Sequence, residues 1–200
     1  MRVISIEPLE GSRKAYDVSV ANTHSYFVGT GVLAHNCSLR YLDGKLIQAI
    51  TRGDGVTGED ITRNVVKMKG VVHVIPGFNG HLRGEIVLRR SDWEKHFPTY
   101  SNPRNAASGI AKRLDGEGSE HLSVYHYQMI RDSSIIARKE IEFLALQRIG
   151  CLIPRFCKVD SLAGILQVYQ NYVSNIRDSL DYDIDGLVID VDDNVIHDQL

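Results

Sequence analysis

The order of its hydrophobic patterns constrains this chain most. Short strand-like runs broken by glycine dominate the first two thirds, and the two long helical periodicities come only after residue 134. Residues 4–6, 16–20, 25–28 and 32–33 read as strands, with turns at Gly11-Ser12 and Gly29-Thr30-Gly31. Residues 46–51, 71–75 and 82–88 read the same way, 60–69 as a short helix, and 122–130 as an alternating strand. A helix is predicted over 134–149, with Ile141, Leu144, Ala145 and Ile149 near one face and a stop at Gly150 and Pro154. A second, over 161–180, starts at an Asp160/Ser161 cap and lines up Leu162, Ile165, Leu166, Tyr169, Tyr172, Val173 and Ile176 for core packing. A last strand is expected at 187–191, entered from Gly186. The sum is an α+β fold.

Composition narrows the setting. No apolar run approaches the ~20 residues of a membrane span, and the first residues carry early acids without the apolar stretch of a secretory signal. Three cysteines, Cys37, Cys151 and Cys157, are too few for a disulfide framework and lack zinc spacing, so no metal site is expected and a reducing cytoplasm is. Cys151 and Cys157 read as ordinary core or surface thiols. The net charge of −2, from 23 basic and 25 acidic residues, is not the footprint of a strong nucleic-acid binder. After Arg177 eight aspartates follow and no lysine or arginine. Such an end repels phosphate, so a DNA-directed chain of this kind would take much of its grip from elsewhere.

Two constellations carry chemistry. In the first, Gly31-Val32-Leu33-Ala34-His35-Asn36-Cys37 sets an asparagine between a histidine and a cysteine. An asparagine side-chain amide can attack its own carbonyl carbon and break the following peptide bond. A neighbouring histidine can protonate the leaving amine, and a cysteine after the bond can take an acyl group as a thioester. Alone, such a triplet reads as a surface loop. With Tyr16-Asp17-Val18-Ser19-Val20 and His24-Ser25-Tyr26-Phe27-Val28 upstream, it resembles the C-terminal part of an intein. The resemblance implies that Asn36 cyclises, that His35 is its penultimate helper, that Cys37 is the first residue of the C-extein, and that His24 and Asp17 assist proton movements. No N-terminal Cys or Ser nucleophile and no Thr-x-x-His block precedes residue 36. The expectation is therefore the C-terminal half of a split intein, completed by an N-terminal intein half on another polypeptide.

In the second, Ser38-Leu39-Arg40-Tyr41-Leu42-Asp43-Gly44-Lys45-Leu46 reads as a hairpin. It leads into Thr51-Arg52-Gly53-Asp54-Gly55-Val56-Thr57-Gly58, a glycine-rich turn whose arginine fork suits phosphate. Leu82-Arg83-Gly84-Glu85 puts an acid on a strand, and Asn102-Pro103-Arg104-Asn105-Ala106-Ala107 starts a helix beside an arginine, a place for an anion. With Asp183-Ile184-Asp185-Gly186-Leu187-Val188-Ile189, and in this order, these runs resemble the adenylation domain of NAD-dependent DNA ligase over residues 37–200. The resemblance implies that Arg52 contacts the adenylate nucleotide, that Glu85 contacts its ribose region, and that Arg104 lies near phosphates or nicked DNA. Lys112 stands where the family has an arginine, keeping the charge and losing the fork. NAD and Mg2+ are the implied cofactors; nicked double-stranded DNA is the implied partner, with no membrane.

Three departures accompany this resemblance. The family's Lys-x-Asp-Gly nucleophile precedes the Ser-Leu-x-Tyr segment, and here the intein junction falls in that gap. Asp190 stands where the family carries a phosphate-contacting lysine, which reverses the local charge. The chain stops at Leu200 without the family's final lysine motif or later domains. The expectation is thus an α+β chain in two parts. Residues 1–36 are a small all-β C-terminal intein (Hint) segment. Residues 37–200 are a partial covalent nucleotidyltransferase domain, to be joined by trans-splicing to an N-terminal ligase fragment that carries the lysine. The alternative is a degenerate nucleotide- or DNA-binding module that assembles without ligating, or one whose intein segment never splices.

Overall fold

The computed structural model describes residues 26–32, 35–51 and 58–194. The strands expected at 4–6 and 16–20, with Asp17, His24 and Arg52, lie outside the described residues. Two antiparallel sheets carry the fold. One has four strands in the order β3-β2-β4-β5, formed by β2 (His35–Leu42), β3 (Lys45–Thr51), β4 (Gly80–Leu88) and β5 (Leu122–Arg131). The other has the order β6-β1-β7, formed by β1 (Tyr26–Val32), β6 (Phe156–Val159) and β7 (Ile184–Val191). The helices are α1 (Thr62–Val65), α2 (Arg90–His96), α3 (Pro103–Ala111), α4 (Lys139–Arg148) and α5 (Leu162–Asn171).

The β2–β3 hairpin follows from its turn. Asp43 and Gly44 both take positive φ, 49° and 75°, the type I′ geometry that Asp-Gly favours. A Cβ on Gly44 would meet the Ile75 carbonyl oxygen at 2.6 Å, so only glycine fits there. Alternation then sends Cys37, Leu39 and Tyr41 into the core, where they meet Leu82, Ile86, Ile110 and Leu122. A smaller cluster of Tyr172, Leu180 and Ile184 lies under the last strand.

Several expectations are corrected. Gly29-Thr30-Gly31 is no turn: β1 runs through it, bonded to β6 on one edge and β7 on the other. Pairing on both edges overrides the local glycine preference. Residues 71–75 form no strand; Val74 makes an isolated bridge to Lys45, and the Ile75 amide donates to the Gly44 carbonyl at 2.7 Å. The helix expected from 134 begins at Lys139, because the Ile136 and Ala137 carbonyls are taken by the Asn194 side chain and amide, at 2.7 and 2.9 Å. Its buried face is also different. Phe143 and Leu146 face inward with Lys139 and Glu142, while Ile141 and Leu144 are exposed. The single helix expected over 161–180 is α5 followed by a π turn (Tyr172–Ile176) and a 3-10 turn (Arg177–Ser179). Of its apolar stripe Ile165 and Tyr172 are buried, and Leu162, Leu166, Tyr169 and Val173 are exposed. The helix α2 and the strand β6 had no counterpart in the sequence reading. No helix among the described residues is long and apolar enough to cross a membrane.

Candidate functional site

Strand pairing builds the site from the sheet outward. Asn36 of β2 pairs with Glu85 of β4, and Glu85 with Tyr125 of β5. Directly paired residues point to one face, so these three form a row across the four-stranded sheet, opposite the face that packs Leu39 and Leu82. The Tyr127 hydroxyl donates to Asn36 Oδ1 at 3.0 Å. Cys37, the next residue, turns the other way. Its thiol is buried and donates to the Gly84 carbonyl at 3.4 Å. Burial, and after it the Glu85 charge, pushes that thiol up to about 12, so it is no thiolate in this arrangement. Thr51, the last residue of β3, pairs with Cys37.

The row continues into a cavity. The Tyr125 ring meets Tyr182 at 5.5 Å between centroids. Tyr182 lines an open cavity of about 410 Å³ with Arg90, Asn102, Arg104, Arg177, Asp183 and Ile184. Three elements deliver these groups. Arg90 opens α2, Arg177 opens the 3-10 turn after α5, and Arg104 sits in the first turn of α3, with Pro103 ahead of it. The Asn102 side chain caps α3 by accepting from the Asn105 amide at 2.8 Å. Asp183 holds Arg90 through Nε at 2.8 Å and a terminal nitrogen at 2.6 Å. Ser91 fixes the same segment through its amide and hydroxyl to Asp181, at 3.0 and 2.6 Å. Burial works to raise the Asp181 carboxyl, but those two bonds and the Arg89 and Arg90 charges outweigh it and leave it low. Among the described residues no carboxylate pairs with Arg104 or Arg177. Three guanidinium groups against one carboxylate make this cavity a place for an anion.

The residues singled out from sequence separate here. Glu85 and Arg104 belong to the row and the adjoining cavity, and Asn36 shares the row. Lys112 caps the far end of α3 and pairs with Glu59 at 2.8 Å, away from Arg104. Asp190 lies 3.6 Å from Lys139, whose other partner is Glu142 at 3.1 Å. Arg90, Arg177 and Tyr182 escaped sequence reasoning, since isolated arginines and a tyrosine carry no motif; only the fold gathers them. A half-buried carboxylate beside an arginine cavity suits a nucleotide, the carboxylate accepting from ribose hydroxyls and the arginines meeting phosphates. The described carboxylates there, Glu85 and Asp183, make no oxygen cage for a hard dication.

Known proteins resemble this chain over most of its length. Residues 12–200 match the family model described as NAD-dependent DNA ligase adenylation domain. A DNA ligase of Sorangium cellulosum (strain So ce56) is 46% identical over 154 residues, 76% of this chain and 22% of that protein. DNA ligases of Treponema denticola and Wolbachia pipientis wMel are 38% and 40% identical, across 76% and 80% of this chain and 26% and 25% of theirs. The chain thus spans about a quarter of the length of the curated relatives it matches. A solved chain described as "Pmar-Lig_Pre." shares the fold, with a TM-score of 0.55 at 10% identity, covering 86% of this chain and 39% of that one.

Proposed function

The chain belongs to the NAD-dependent DNA ligase adenylation-domain family, and from that premise we propose that it supplies the nucleotide- and phosphate-binding part of a nick-sealing enzyme. The observation that carries this reading is the row ending in Glu85 and Tyr125, joined through Tyr182 to the three-arginine cavity. The family uses NAD, which supplies the adenylate group, and magnesium. Glu85 would hold the ribose side of the nucleotide; Arg104, with Arg177, would hold phosphates of nucleotide or nicked DNA. Around this cavity the described residues build no oxygen cage for magnesium. The work is expected in the cytoplasm.

The attacking lysine comes, in this reading, from an N-terminal partner chain. An N-terminal intein half would dock on residues 1–36, and its nucleophile would pass the acyl group to the Cys37 thiol. Asn36 would cyclise to a succinimide and release the segment. The Cys37 amine would then capture the acyl group, leaving an ordinary peptide bond. One order of these events is consistent with the docked strand. In the docked β2 strand the Asn36 carboxamide is held by Tyr127 and the Cys37 thiol is buried and protonated. In this reading the junction would react before β2 settles between β3 and β4. The residues newly joined ahead of Cys37 would then enter the slot that β1 occupies between β6 and β7.

A test is to mix the chain with an N-terminal intein–ligase half, with Asn36→Ala as control, and follow intact masses. A joined product lacking residues 1–36, offered NAD, should gain one adenylate. Arg104→Ala and Arg177→Ala should each lower nick sealing by at least tenfold, a value on the order of one or two lost charge-assisted hydrogen bonds. Sealing unchanged by both variants would remove the cavity from the reading.

A second reading, assembly without ligation, is favoured by one observation. The position that holds a lysine in the family is Asp190, and it faces Lys139. Asp190→Lys alone would set two ammonium groups together, so restoration needs Lys139→Gln beside it, which can still donate to Glu142. Adenylation by the original joined protein, with no gain from the double variant, would exclude this reading.

A further inference from the structure

The helix α2 and the turn Ser119–His121 bring three metal-binding side chains together. Asp92 and His96 lie four residues apart on α2 and so share a face; His121 comes from the turn. One ligand atom from each lies within 4.8 Å of the others. Their orientations divide the work between them. Asp92 turns Oδ1 to His121 Nδ1 at 3.7 Å and Oδ2 to Lys69 Nζ at 3.8 Å. His121 turns Nε2 to Glu120 Oε1 at 3.9 Å. The His96 and His121 rings face each other at 4.2 Å, and Phe97 meets His121 edge-on at 5.5 Å, fixing its plane.

We propose that Asp92, His96 and His121 form a binding site for a zinc-type first-row transition-metal dication. His121 ligates through Nδ1, and exposed Glu120, 3.9 Å from Nε2 without the metal, closes by about 1 Å to accept the Nε2 proton, the carboxylate role that steadies a metal-bound imidazole. Asp92 ligates through Oδ1 while Lys69 holds its other oxygen. His96 is exposed and swings in from the open side. With metal–nitrogen bonds of about 2.0–2.1 Å, tetrahedral ligand atoms sit ~3.3 Å apart, so side-chain torsions must draw these atoms in by roughly 1–1.5 Å. Two imidazoles select zinc, nickel or cobalt over magnesium, whose preference is for oxygen. This site is therefore independent of the magnesium that the family uses. The fourth position is left to water. The ion would tie α2 to the 119–121 turn, and α2 supplies Arg90 to the arginine cavity.

The test uses the whole chain, stripped with chelator and titrated with Zn2+ by calorimetry and with Co2+ by visible absorption. One equivalent of Zn2+ should bind and raise the thermal midpoint, and excess Mg2+ should not displace it. Glu120→Gln should weaken binding by about 10–100-fold with unchanged stoichiometry, the usual effect of losing such an outer carboxylate. His96→Asn and Asp92→Asn should each weaken it at least as much and abolish the Co2+ bands. His96 is exposed, so its variant should keep the parent's circular dichroism. Absence of Zn2+ binding by the parent chain, or equal binding by His96→Asn/His121→Asn, would overturn the proposal.

Discussion

His126 is buried and neutral, with Nε2 at 3.2 Å from the Gly70 carbonyl oxygen. Burial, only partly opposed by that hydrogen bond, brings its imidazole down to about 4. The unfolded chain takes up this proton near pH 6.5 and the folded one only near pH 4. The stability linked to His126 is therefore complete above about 6.5 and is lost as pH falls from there toward 4. Urea midpoints measured between pH 7 and 4.5 should fall, and His126→Phe should flatten the slope within that window. An unchanged slope would mean that other groups set it. Asp192, fully buried at its side chain, works in the same direction at lower pH. Burial raises its carboxyl, but bonds from Lys158, the Glu140 amide and Arg138 outweigh that and leave it low. Neither effect is visible in the sequence, where His126 is one of eight histidines in an alternating strand.

At the scale of elements, α4 shows how periodicity misleads. Ile141 and Leu144 supply the apolar spacing, yet the fold buries Glu142 and Lys139, because Glu142 accepts from Lys139, the Met129 amide and Asn194. Phe143 stacks on Phe156 of β6 at 4.8 Å, which turns the helix to that face. Glu142→Ala should cost about 3–5 kcal/mol, since it leaves a buried lysine with less compensation and an amide without its acceptor. Adding Lys139→Met should recover part of that loss in equilibrium urea unfolding. Equal costs for the single and double variants would show that the lysine left without Glu142 carries no penalty of its own. The β2–β3 hairpin is the opposite case: Asp43-Gly44 and the alternation around it were legible because the turn chemistry is local.

At the scale of the whole molecule, β2 is held between β3 and β4, so its first residues are fixed once the four-stranded sheet has formed. On the trans-splicing proposal, a chain folded before mixing with an N-terminal intein half should splice several-fold more slowly than one mixed while refolding, because β2 would first have to open. Equal rates, read by gel or mass, would mean that β2 does not hold the junction. The sequence by itself determined the α+β class, the order of the motifs, the hairpin and the family, because these rest on residue types and spacings that survive any arrangement in space. It also singled out Glu85 and Arg104. Only the tertiary structure decided that Tyr125 and Tyr182 join the Glu85 row to Arg90, Arg104 and Arg177, that Lys112 points elsewhere, and that Asp92, His96 and His121 converge. Those groups lie up to ~90 residues apart along the chain, and their meeting depends on strand pairing and helix placement, which act between elements and leave no local trace.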